Sequence, residues 1–122
     1  MKQDLMIGDW VEVSNTALQI AALGTIKAGF ADSKNELFYH YYDVLQPIPL
    51  TIEILLKNGY KETAEGVSTH YWIDDYDDPV MVLYSLDKFY LEYIEWTHIE
   101  LKYVHELQHA LRLCGIEKEI KL

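Results

Sequence analysis

Two histidines four residues apart, with a glutamate after the first, are the side chains here best typed and spaced for chemistry: His105-Glu106-Leu107-Gln108-His109. On a helix, residues i and i+4 share a face. Both imidazoles could then hold one zinc ion while Glu106 polarises a bound water, as in the H-E-x-x-H hydrolases. Catalytic zinc also takes a third protein ligand, usually from a following element. Downstream of His109 the only carboxylates are Glu117 and Glu119, and Arg112 and Gly115 occupy the places where the extended motif has its glycine and third histidine. A water-facing helix surface that holds no metal is therefore the expectation, and a zinc hydrolase using His105, Glu106 and His109 is the alternative.

The element that would carry these residues is a helix over Leu101 to Cys114. Val104, Leu107, Leu111 and Cys114 recur at helical spacing and form one apolar stripe, with Tyr103 and Ala110 beside it. Lys102, His105, His109 and Arg112 fall on the other side, and Gly115 stops the helix. Cys114, the single cysteine, sits on the stripe as a small buried residue. It excludes an intrachain disulfide and fits a reducing compartment.

A second group of candidates is acidic. Asp74, Asp75, Tyr76, Asp77 and Asp78 precede Pro79, and between Asp74 and Glu100 eight carboxylates face the single Lys88. A calcium loop would need alternating oxygen ligands, a glycine for its sharp turn and a closing glutamate, none of which the proline position provides. The run reads instead as an acidic hairpin loop. With Glu92 on the neighbouring strand, it would offer carboxylates and a tyrosine to a basic partner. Glu92 and Glu95 alternate across that strand, so they do not converge as a glycosidase pair. Glycine-rich phosphate loops and nucleophile elbows are absent from the sequence.

The remainder of the chain reads as strands. DWVEV, ALQIAAL, TIKAGF and ELFYHYYDV, with turns at Asn15, Gly24 and Asp32 to Asn35, suggest an antiparallel meander, with a helix over 16–23 as the competing assignment. His40 within the last of these strands reads as a structural, hydrogen-bonded histidine. Pro47 and Pro49 close this part. Thr51 caps a helix of about two turns over PLTIEILLKNG, which Asn58-Gly59 stops. Glu62 to Gly66 reads as a polar loop. VSTHYWI, VMVLYS and FYLEYIEW form three antiparallel strands, and EKEIKL is a frayed end or an edge strand. The expected fold class is α+β, antiparallel sheet with a short middle helix and a C-terminal helix packed on it. It forms one domain over 1–122: an N-terminal meander (1–46), the short helix (47–60), then sheet and helix (61–122).

Composition narrows the function. The 122 residues carry 20 acidic and 10 basic side chains, a formal net charge of −10, and the one arginine is Arg112. That disfavours direct DNA or RNA binding and favours a basic protein partner. No apolar run is long enough to span a membrane or act as a signal peptide, so a cytoplasmic protein is expected.

Certain blocks also resemble a family. IGDWV, Ile48-Pro49-Leu50-Thr51 with Ile54-Leu55-Leu56-Lys57-Asn58-Gly59-Tyr60, Tyr71-Trp72-Ile73 and Lys102 to His109 are similar to small proteins of phages and prophages of Bacteroidota-type bacteria, most without known function. In those relatives the helix more often reads His-Gln-Leu-Gln-Asn, which could not bind zinc. In size and origin the chain is similar to anti-CRISPR proteins that block type VI RNA-guided, RNA-cutting nucleases. The resemblance thus implies a non-enzymatic, cofactor-free inhibitor in the bacterial host cytoplasm, acting on such a nuclease or its RNA complex. A phage structural or assembly protein is a further alternative. The family supplies no site motif.

Overall fold

A computed structural model describes residues 5–73, 81–92 and 98–122. Among them the chain forms two five-stranded antiparallel sheets and two helices, an α+β fold. It divides into two compact units, 1–48 and 49–122.

The first unit is the expected meander, β1 (Trp10–Val13), β2 (Thr16–Leu23), β3 (Lys27–Ala31) and β4 (Leu37–Tyr41), with a short β5 (Gln46–Pro47) added, in spatial order β4-β3-β2-β1-β5. Ser14 and Asn15, at φ +49° and +67°, make the two-residue turn whose twist matches a hairpin, and this settles residues 16–23 as strand. Alternate residues turn inward. Val11, Ile20, Ala28 and Phe30 are buried with Leu5, Tyr42 and Leu45, and Phe38 packs against them. His40 is half-buried, its ring against Phe30 and Phe38. The patterning did not reveal two short pieces, a 3-10 turn at Tyr42–Val44 and the two-residue strand β5 (Gln46–Pro47). Pro47 is tolerated in β5 because that strand lies at the sheet edge, where one missing N–H faces no neighbour.

The second unit opens with α1 (Ile52–Lys57). Thr51 Oγ1 accepts from Ile54 N at 3.2 Å, and Gly59, at φ +85°, takes the left-handed turn that ends the helix. The sheet follows, β6 (Lys61–Glu65), β7 (Ser68–Trp72), β8 (Met81–Ser85), β9 (Lys88–Glu92) and β10 (His98–Leu101), paired in sequence order. Tyr71, Val82, Phe89, Leu91 and Leu101 are buried on one face. The helix α2 (Val104–Leu113) lies beside β10 and buries Val104, Leu107, Ala110 and Leu111.

Four expectations are corrected. Residues 61–65 are not a loop: as an edge strand with every side chain exposed, β6 shows no apolar alternation, yet it pairs with β7 along its length. Leu101 ends β10 rather than opening the helix, which begins at Val104, so the sheet has five strands and not three. The tail is neither frayed nor a strand. Asn58 clamps it, donating Nδ2 to Lys121 O at 2.8 Å and accepting Lys121 N at 2.7 Å, while Ile120 is buried. His105, placed on the wet side of α2, is buried as well.

Candidate functional site

The covered face of α2 is wider than its apolar stripe because Tyr103, just ahead of the helix, lays its ring parallel to His105, centroids 5.9 Å apart and planes within 8°. His105 and Gln108 are buried, and His109 is half-buried with its ring edge-on to His105 at 5.6 Å. Glu106 does not stand beside them as a free base. Its Oε1 accepts both Lys102 N and Tyr103 N at 2.9 Å, satisfying amides that the helix start would leave orphaned. The residues of the motif thus have a local structural use: the glutamate caps and the histidines pack. Among the described residues no group of three or more His, Cys, Asp or Glu side chains is placed to hold a metal ion.

The acidic run Asp74, Asp75, Tyr76, Asp77 and Asp78 lies outside the described residues. Glu92, the remaining member of the acidic surface expected from the sequence, ends β9 on the sheet face opposite to the buried one. The register explains its company. Across β6 to β9, Thr63 pairs with His70, His70 with Leu83 and Leu83 with Tyr90, while Lys61 pairs with Trp72 and Met81 with Glu92. Directly paired side chains, and those two places further along each strand, therefore project from the same face. They line an open groove of about 380 Å³ formed by Thr63, Glu65, His70, Trp72, Met81 and Glu92.

His70 stands between two carboxylates, Nε2 3.3 Å from Glu92 Oε2 and Nδ1 3.7 Å from Glu65 Oε2. Glu92 Oε2 is shielded from water, whereas the Glu65 side chain is largely exposed. Trp72 gives the groove an aromatic wall, with the Lys61 ammonium 5.4 Å from its ring centroid and its indole N–H donated to Thr63 Oγ1. Carboxylates beside a tryptophan make a receptor for cationic side chains, through charge and through the ring's electron-rich face. Only Glu92 of this group was singled out from the sequence. Glu65, His70 and Trp72 were missed because residues 61–65 carry no strand pattern. The turn at Gly66, φ +62°, was the available signal that Glu65 and Ser68 face each other.

Comparison with protein-family models, with curated proteins and with solved structures finds no match to this chain.

Proposed function

We propose that this is a non-enzymatic binding protein, encoded by a phage, that inhibits a bacterial RNA-guided defence nuclease by occupying a basic surface that nuclease uses for RNA. The observation carrying this reading is the groove on the open sheet face, where Glu65 and Glu92 flank His70 beside Trp72. A partly exposed acidic and aromatic face suits lysine and arginine side chains that otherwise contact phosphates. The net charge of −10 supports it, and the family resemblance supplies the class of target. The acidic run 74–78, read from the sequence, adds four further carboxylates for such a partner.

The test is RNA cleavage by a purified type VI RNA-guided nuclease, with this protein added in excess. Cleavage falls, and the Glu65→Gln/Glu92→Gln variant inhibits about tenfold less well, consistent with removal of two complementary charges. Asp75→Lys/Asp77→Lys/Asp78→Lys weakens inhibition further without altering the circular dichroism spectrum. Full cleavage in the presence of the protein would reject the nuclease as target. Undiminished inhibition by both variants would reject the acidic surface.

A further inference from the structure

Natural sheets protect their edges, because an unpaired row of N–H and C=O groups is a template for another strand. Among the described residues, three of the four sheet edges are blunted. β5 is two residues long and contains Pro47; β6 reads Lys-Glu-Thr-Ala-Glu; β10 is four residues long and carries Glu100, which pairs with Lys88 and Lys102. The fourth, β4, reads Leu-Phe-Tyr-His-Tyr, five residues with no carboxylate, lysine or proline.

The register shows which of its groups face outward. Tyr42 N donates to Ile26 O and Asp32 N donates to Glu36 O, and both bonds continue the β3–β4 ladder beyond its two ends. Hydrogen-bonded and non-bonded pairs alternate in an antiparallel ladder. Phe38 and His40 therefore bond to β3, and Leu37, Tyr39 and Tyr41 turn their backbone N–H and C=O to the free edge. The same three residues carry exposed side chains, at 52%, 53% and 52%. Tyr39 is held in place: a Cβ on Gly29 would lie 2.9 Å from its ring, so the ring lies over β3 where only glycine leaves room. Lys27 braces Tyr41, its ammonium 4.6 Å from the ring centroid.

We infer that β4 pairs with β4 of a second copy of this chain, antiparallel and centred on Tyr39, joining the two N-terminal sheets into one. The sequence of the strand fits its own reverse. Tyr39 meets Tyr39 of the second copy, and Leu37 meets Tyr41 in both directions, so every outward side chain has an apolar or aromatic partner and every outward backbone group an opposite one. Residues 1–48 hold six acidic and three basic side chains, so the unit that pairs carries −3 of the chain's −10. With an aromatic side chain burying about 150–250 Å² when fully covered, the three half-exposed residues contribute roughly 600 Å² over the two copies. That is below the ~1,200 Å² of a standard stable interface, which makes the dimer weak and reversible.

The test is molecular mass in solution by sedimentation equilibrium, with the full chain, from about 10 μM to about 1 mM, the range in which an interface this small associates. Mass rises with concentration from 14.3 kDa toward twice that value. Leu37→Lys and Tyr41→Glu each weaken association at least tenfold, by putting a charge opposite an apolar residue. The double variant restores it, because the register sets position 37 against position 41 of the second copy. A monomer at every concentration, or a double variant no better than the two single ones, overturns the inference and leaves the edge to a strand from a different protein. Glutamine substitutions at Glu65 and Glu92 leave the mass unchanged, which separates this outcome from the reading of the groove.

Discussion

Glu106 shows how one side chain can match a catalytic pattern while serving the backbone. Both of its bonds are charge-assisted and sit at a helix N-terminus, where anions are favoured. Glu106→Ala should lower stability by about 1–2 kcal/mol in urea unfolding, and Glu106→Gln should retain most of it, since glutamine also closes a capping box. A catalytic base would tolerate neither change. Tyr71 supplies the pH dependence. Burial first, then the Glu62 carboxylate opposite it on β6, raise its phenol above 10.0. The folded chain thus holds that proton more tightly than the unfolded one. The stability it contributes is complete below about pH 10 and is lost as pH climbs through the raised value. The urea midpoint should fall as pH rises above 10, and Tyr71→Phe should flatten part of that fall. Cys114 is only half-buried, short of the full burial read from its place on the stripe, and desolvation raises its thiol too.

At the scale of elements, the local signals worked where a residue's own backbone preference decided the matter. Asn15 for the first hairpin and Thr51 and Gly59 for the ends of α1 are of this kind. They failed for β6 and β10, whose side chains give no alternation because one is exposed throughout and the other buries only its last residue among those described. The tail illustrates the same limit. EKEIKL has no periodicity, yet Asn58, buried at the end of α1, reaches Lys121 across 63 residues of sequence with a donor and an acceptor. A further bond from Asn58 Nδ2 to Ile54 O ties the clamp to the helix. Asn58→Ala should cost about 2–3 kcal/mol in the unfolding midpoint, because the Lys121 amide and carbonyl lose their partners together. It should also speed hydrogen exchange at Ile120 and Lys121, whereas a merely frayed tail would exchange rapidly in the parent protein.

For the whole molecule, the two proposed associations answer to salt with opposite signs. Binding of a basic partner to the acidic face is driven by attraction between unlike charges and should weaken as ionic strength rises from about 0.05 to 0.3 M, where the Debye length shrinks. Pairing of two copies, each at −10, works against like-charge repulsion and should tighten over the same range, as sedimentation would measure. The sequence by itself determined the charge, the α+β class, the turns at Asn15, Gly24 and Asp32 to Asn35, both caps of α1 and the apolar stripe of α2. Each of these depends on preferences and periodicities within a few neighbouring residues. Only the tertiary structure decided that His105 is buried, that Glu65, His70 and Glu92 converge, and that β4 ends its sheet with no described strand beyond it. Burial and strand neighbours are properties of pairings between distant segments, and a strand does not carry in its own residues the identity of what lies beside it.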